Sequence, residues 1–414
     1  MEKLLARHIE SFARDALQTF PALVIQGARQ VGKSTFAMQL ASDRPSRTLT
    51  LDDDDVRSAA LAEPRAFVEQ AGHDTMVIDE IQRAPELLLA IKASIDRDRR
   101  PGRFILTGSS NLLSLSRTPD SLAGRAVTVE LKPLSVGEQL QQADDIISRL
   151  KAGADAADFR SVDTRAGCIR LIAHGGYPEV GELHGRMRNA WFDSYVSRLL
   201  ERDVRDIAPR VDRGRVATVL RLLAANQSGE LVKARIARDA DVPETSVTAY
   251  LDLLRTMYLV STLPAWTPNL TSREAGRHKV IVGDSGLALR LGRISESQLE
   301  PLGNPHLGAA LEGFVVAELM KQRSWSEQEY ELFHFRDRDG IEVDIVAEFA
   351  DGSVMAFEVK AMSTPRSDHF KGLRVLRDRL GDRFVGGYVL NTADSGVAMG
   401  DRLWALPVPA LWEL

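Results

Sequence analysis

The chain has 414 residues, 44% of them hydrophobic and 27% charged, with a formal net charge of −5. That composition excludes a disordered or fibrous chain, and the length calls for about two to four separate cores. The slight acidity leaves any nucleic-acid binding to rest on a local basic surface, and the single cysteine, Cys168, rules out an intramolecular disulfide and a multi-cysteine zinc site.

The opening "MEKLLARHIESFARDALQTF" spaces Leu4, Leu5, Ile9, Phe12, Leu17 and Phe20 along one helix face. Charges interrupt it throughout, so it has no signal-peptide core, and no later stretch reaches the length of a membrane span. We expect a cytoplasmic protein without a membrane segment.

Residues 22–40, "ALVIQGARQVGKSTFAMQL", pass from a buried-strand pattern through a glycine-bracketed loop into a helix. The loop matches G-x-x-x-x-G-K-[ST] at Gly27, Gly32, Lys33 and Ser34. Glycines let successive backbone N–H groups of Gly27, Ala28, Arg29, Gln30, Val31, Gly32, Lys33, Ser34 and Thr35 curl around phosphate oxygens. Lys33 reaches the outer phosphates and the Ser34 hydroxyl ligates magnesium. The following helix turns its positive end to the phosphates. ATP and Mg2+ are the expected cofactors.

A carboxylate site should accompany such a loop. "TMVIDEIQ" supplies it, with a strand from Thr75 delivering Asp79 to hold the metal and Glu80 to deprotonate the attacking water. "RFILTGSSN" is a third strand, ending in Ser109, Ser110 and Asn111, which are candidates to touch the γ-phosphate or its water, with a plain serine-rich turn as the alternative. With "RTLTL" (47–51) and "AVTVEL" (126–131) the count is five strands alternating with helices, a parallel sheet whose ligand sits at the carboxyl ends of the strands. Arg125 is the candidate to neutralise transition-state charge, from its own or a neighbouring subunit, with Arg83 and Arg117 as competitors and a surface ion pair as the alternative. The acidic run "LDDDD" (51–55) reads as a solvated loop.

Residues 141–212 read as a helical connector broken at "HGGYPEV", where Gly175, Gly176 and Pro178 enforce a turn. Residues 213–290 carry three helical stretches with a sharp turn at Asp241 and Pro243, then two strand-like segments, the pattern of a winged helix. For DNA, Thr245, Ser246 and Thr248 would face a groove, with Lys233, Arg235, Arg238 and Arg255 on phosphates.

From about 291 a helix is followed by strands and one more helix. Asp344, Glu358 and Lys360 form a D…E-x-K pattern, preceded on the helix by Glu312. A three-residue loop, Ala350-Asp351-Gly352, with Gly352 in the left-handed region, sets Asp344 opposite Glu358 on neighbouring strands. Two carboxylates would then converge on a divalent cation, with Lys360 positioning or activating a water. The alternatives are a degenerate nuclease-like fold and an exposed hairpin face without function.

In order and spacing, "GARQVGKST", "VIDEIQ", "LTGSS", "LAGR", "GGYPEV", "EVDIV" and "FEVKA" resemble bacterial and archaeal predicted AAA+ ATPases whose carboxyl-terminal part looks like a winged helix joined to a PD-(D/E)XK nuclease-like fold. The resemblance spans nearly the whole chain. It implies ATP at Gly27 to Ser34, magnesium at Ser34 and Asp79, water activation by Glu80 and a sensor role near Ser109 or Ser110. The proline usual before the first nuclease acid is replaced by Val343.

The expected architecture is therefore α/β: a P-loop NTPase domain, AAA+-like with a parallel sheet (1–140), a helical connector (141–212), a winged-helix region (213–290) and a restriction-endonuclease-like α/β domain (291–414). The expected function is ATP hydrolysis coupled to the carboxyl-terminal modules. Alternatives are an ATP-gated metal-dependent DNA nuclease, and a nucleotide-binding regulatory scaffold of toxin-antitoxin or defence type. Expected partners are ATP, non-specifically bound DNA, a protein partner and further copies of the chain.

Overall fold

The computed structural model describes residues 5–109, 122–268 and 277–414. The chain divides into two compact units, one running up to Pro133 and including Arg255–Leu259, the other made of Leu134–Leu254 and Val260–Leu414.

The first unit is built on five parallel strands: β1 (Ala22–Gln26), β2 (Ser46–Thr50), β3 (Thr75–Asp79), β4 (Phe104–Gly108) and β5 (Ala126–Glu130), in the spatial order β2-β3-β4-β1-β5. Every residue of β1 and β4 is buried, as befits central strands covered on both faces by helices. The edge strand β2 is mostly exposed and carries the polar sequence SRTLT. Helices Lys33–Ala41 and Leu87–Arg97 bury Phe36, Leu40, Leu87, Leu88, Ile91 and Ile95. This is the fold of a P-loop NTPase.

Two local expectations are corrected. The acidic run is not merely a solvated loop. Asp53 caps the helix Asp54–Ala62, its carboxylate accepting from Asp55 N and Val56 N at 2.9 and 3.1 Å, and Asp54 and Asp55 lie in the first turn, where negative charge is favoured. Near the amino terminus the helix spans only Glu10–Thr19; it buries Ala13, Ala16 and Leu17, while Phe12 is exposed.

In the second unit, helices Arg213–Ala225, Lys233–Ala240 and Glu244–Thr256, whose last two residues belong to the first unit, precede an antiparallel pair, β6 (Val260–Leu263) and β7 (Lys279–Val282). The sharp turn after Ala240 is made by Asp241, at φ +51°. Gly175 and Gly176 of the "HGGYPEV" turn pack where a side chain does not fit. A Cβ on Gly176 would lie 2.2 Å from Leu134 O, and one on Gly175 would lie 2.4 Å from Asp284 Oδ1. The buried Asp284 carboxylate accepts from Gly176 N at 2.6 Å and from Leu287 N at 2.8 Å.

A six-stranded mixed sheet follows: β8 (Tyr330–Arg336), β9 (Glu342–Phe349), β10 (Val354–Val359), β11 (Phe384–Asn391), β12 (Val397–Ala398) and β13 (Leu403–Pro407), in the order β12-β13-β11-β10-β9-β8. Ile345, Met355, Phe357 and Leu390 join the core with Leu311, Phe314 and Val315 of helix Pro305–Gln322. Val346, Ala356 and Val389 join a second core with Leu373 and Leu376 of helix Lys371–Leu380. The β9–β10 register pairs Phe357 with Ile345, so its continuation sets Glu358 opposite Asp344. Gly352 has φ +75°, and Phe349 and Ser353 close the three-residue loop.

Candidate functional site

The loop between β1 and helix Lys33–Ala41 lies at the carboxyl end of the sheet. Gly27 (φ +149°), Gln30 (φ +63°) and Gly32 (φ +93°) turn the backbone back on itself, the alternation by which consecutive N–H groups come to face one concavity. Gly27 admits no replacement: a Cβ there would stand 2.1 Å from Leu131 O. The loop is braced from outside its own sequence by the buried Arg7. Its guanidinium donates to Val31 O at 2.9 Å and to Lys132 O at 2.6 Å. The Lys33 ammonium, also buried, bonds Gly27 O at 3.1 Å and Ala28 O at 2.7 Å. Ala28, Arg29, Val31, Ser34 and Thr35 fill out the loop and the first helical turn.

The order β3-β4-β1 brings the ends of three strands together. Ser34 Oγ donates to Asp79 Oδ1 at 2.6 Å, Thr107 Oγ1 donates to the same oxygen at 2.6 Å, and Thr50 Oγ1 donates to Asp79 Oδ2 at 3.3 Å. Glu80 occupies the left-handed region at φ +58°, unusual for a residue with a long side chain, and its N–H donates to Thr107 Oγ1 at 3.1 Å. Its carboxylate accepts from the Gln82 amide and, at 3.5 Å, from the Ser109 hydroxyl; Gln82 Nε2 also donates to Ser109 Oγ at 2.9 Å. Ser34, Asp79, Glu80 and Ser109 thus form one connected polar group. At its edge, Tyr258 OH donates to Oε1 of Gln26, the residue before the loop, at 2.6 Å. Tyr258 itself has φ +59°.

Arg125 is in a different place. It precedes β5, whose first residue pairs with Ala22, so it stands at the amino end of the parallel sheet. The loop starts at the other end, five strand residues or about 16 Å away. Its guanidinium makes a two-point contact with Asp96, at 2.7 and 3.1 Å. As a catalytic group for the cradle of its own chain it is therefore corrected to a surface ion pair. Arg83 pairs with Asp52. Ser110, Asn111 and Arg117 lie outside the described residues.

Sequence reasoning missed Arg7, Thr107, Gln82 and Tyr258. Thr107 was within reach, since it is the last residue but one of a strand ending in Gly108 beside the predicted acid. Arg7 and Tyr258 carry no local signal, because their partners are 125 and 232 residues away in sequence.

In the second unit the four candidates Glu312, Asp344, Glu358 and Lys360 do meet, with a fifth residue among them. Lys279, on β7, bonds Glu312 Oε1 at 2.6 Å and Asp344 Oδ1 at 3.4 Å. Lys360 bonds Glu358 Oε1 at 2.5 Å, and Asp344 Oδ2 accepts from Val359 N at 2.9 Å. Burial, and then the charge of Asp344, push the Glu312 carboxyl up to about 8 and that of Glu358 up to about 7. Burial alone would lower Lys279, but Glu312 and Asp344 outweigh it and hold its ammonium above the ordinary range. Among the described residues, no three His, Cys, Asp or Glu side chains are grouped as metal ligands are. Of the expected metal pair, Asp344 pairs with the Lys279 ammonium and Glu358 with that of Lys360, the residue expected to position a water.

The groove-facing and phosphate-facing residues expected for DNA are in part occupied. Lys233 Nζ donates to Thr248 Oγ1 at 3.1 Å, Arg235 to Asn226 Oδ1 at 2.7 Å, and Arg238 pairs with Asp239 at 3.1 Å. Among the described residues no helix is long and apolar enough to cross a membrane.

A family model described as an AAA domain (AAA_14) matches residues 19–140. Two models described as domains of unknown function, DUF8612 and DUF4143, match residues 166–298 and 307–411. Uncharacterized protein Rv2008c of Mycobacterium tuberculosis and uncharacterized protein Mb2031c of Mycobacterium bovis are each 30% identical to this chain over 353 residues, covering 85% of it and 73% of themselves. Among solved structures, the Walker-type ATPase PABY2304 of Pyrococcus abyssi is 18% identical, with 71% of this chain and 97% of that one covered, at a TM-score of 0.42. The chain belongs to the same family as the two mycobacterial proteins, and its amino-terminal part is an AAA domain.

Proposed function

We propose that the protein is a magnesium-dependent ATPase whose first unit binds and hydrolyses ATP. The observation that carries this reading is the bond between Ser34 Oγ and Asp79 Oδ1 at the mouth of the glycine loop. A hydroxyl and a carboxylate held together beside a ring of backbone N–H groups form the hard oxygen donor set that suits Mg2+. Bound Mg2+ supplies charge neutralisation for the β- and γ-phosphate oxygens.

The chain's own groups account for the rest. The N–H groups of Gly27 to Thr35 hold the phosphates, and Lys33 exchanges its bonds to Gly27 O and Ala28 O for phosphate oxygens, which as anions are the stronger acceptors. Ser34 and Asp79 hold the metal. Glu80 takes the proton of the attacking water, oriented by Gln82 and Ser109, which already bond its carboxylate. Thr107 fixes both acids, through the side chain of Asp79 and the backbone of Glu80. An arginine from another copy of the chain remains compatible with this arrangement, and the surface position of Arg125 suits it better to that role than to service within its own chain.

Calorimetric titration of ATP in magnesium tests the binding half of the reading. The wild-type protein is expected to bind in the micromolar range and Lys33→Ala to bind at least ~10-fold more weakly, the loss of one charge-assisted contact. Equal binding by the two proteins sinks the reading.

A further inference from the structure

Helix Pro305–Gln322 brings Glu312, β9 brings Asp344, β10 brings Glu358, and β7 brings Lys279 into their midst. We propose that the Lys279 ammonium fills the position a divalent cation would take between Glu312 and Asp344, so that the second unit carries a cation site closed by its own chain. The inference is independent of the nucleotide reading.

Three observations support it. The first is exclusion. Lys279 Nζ stands 2.6 Å from Glu312 Oε1 and 3.4 Å from Asp344 Oδ1, and a divalent ion on those oxygens sits about 2.0–2.6 Å from them, so nitrogen and metal cannot share the space. The second is burial: Lys279 and Asp344 are each 8% exposed, so the ammonium is part of the interior and not a surface side chain that has folded back. The third is an unmet acceptor: Glu358 Oε2 is buried with no hydrogen-bond partner among the described residues, as in an underfilled site.

A D…E-x-K pattern with an acid on the preceding helix suggests a metal centre by residue type. The ammonium that replaces the metal comes from the far strand of the β6–β7 pair, 33 residues before Glu312. Nothing in the spacing of the acids announces it.

The test is Mn2+ uptake by the full-length, nucleotide-free chain, followed by the paramagnetic signal of free Mn2+. A Ser34→Ala/Asp79→Asn background removes the first unit's donors. In that background the protein with Lys279 intact is expected to take up no Mn2+ through Asp344. Adding Lys279→Ala is expected to create about one site per chain, at least ~10-fold tighter than any uptake before, and further addition of Asp344→Asn to abolish it. Lys279→Arg, which keeps a cation in place, is expected to bind none. If Lys279→Ala proves unstable alone, thermal melts with and without Mn2+ replace the titration, and Mn2+ is expected to restore the melt of this variant only. Uptake through Asp344 with Lys279 present overturns the proposal, as does a Lys279→Ala protein, folded or not, that is indifferent to Mn2+.

Discussion

Ser34 and Asp79, 45 residues apart in sequence, are joined by a 2.6 Å hydrogen bond from hydroxyl to carboxylate at the carboxyl edge of the first sheet. The bond reaches across the end of β4, which lies between β1 and β3, and Thr107 on β4 donates to the same carboxylate oxygen. Asp79→Asn keeps the shape and removes the charge. It is expected to leave ATP binding in EDTA within about twofold of wild type while abolishing most of the gain that magnesium brings, the charge-assisted part of metal binding. Fluorescent-nucleotide titrations with and without magnesium read both quantities, and a full magnesium response in the variant contradicts the assignment.

Arg7 braces the cradle through Val31 O and Lys132 O with a buried guanidinium. Arg7→Ala removes two charge-assisted bonds and leaves carbonyl groups without those donors, so a loss of about 2–4 kcal/mol in unfolding free energy is expected, together with weaker ATP binding. Urea unfolding measures the first and nucleotide titration the second. Loss of stability with unchanged affinity shows that Arg7 supports the fold and not the loop.

Tyr258 donates to Gln26, one residue before the cradle, from a short segment that links helix Glu244–Thr256 to β6. Removing the hydroxyl by Tyr258→Phe is expected to cost about 1 kcal/mol of stability and to change ATP affinity by a factor of ~2–5, read by parallel melts and titrations. An unchanged affinity shows that this bond does not bear on the loop.

The carboxylate cluster sets a pH dependence. Glu312 and Glu358 titrate near 8 and 7 in the folded chain, against 4.5 as the ordinary value. Between about pH 4.5 and 8 the folded state therefore holds more protons than the unfolded one, and the contribution of this pair to stability falls as pH rises through that window. The melting temperature of wild type is expected to decline more steeply between pH 5.5 and 8.5 than that of Glu312→Gln. Parallel slopes for the two proteins contradict a shared proton in the cluster.

The first sheet was legible because its central strands are continuous apolar runs and its loop is punctuated by glycines with a unique steric reason to be there, Gly27 above all. The hairpin register was legible for a similar reason: Gly352 suits the left-handed third position of a three-residue loop, and that length puts Asp344 opposite Glu358. What the sequence concealed are contacts that depend on tertiary placement. Lys279 is one lysine on a short strand until the fold sets it between two acids. Asp53 reads as part of a charged run until the helix it caps is seen to start there. Arg125 has the residue type for phosphoryl transfer, but a parallel strand begins at the wrong end of the sheet for it to reach the loop after β1.

The central claim is that Glu80, held by Gln82 and Ser109 beside the Ser34–Asp79 pair, activates water against bound ATP. Phosphate release under saturating ATP and magnesium, compared between wild type and Glu80→Gln, tests it most directly. The account predicts turnover in the wild type and a fall of at least ~100-fold in the variant with ATP affinity kept within about threefold. Equal rates of phosphate release from the two proteins would contradict it.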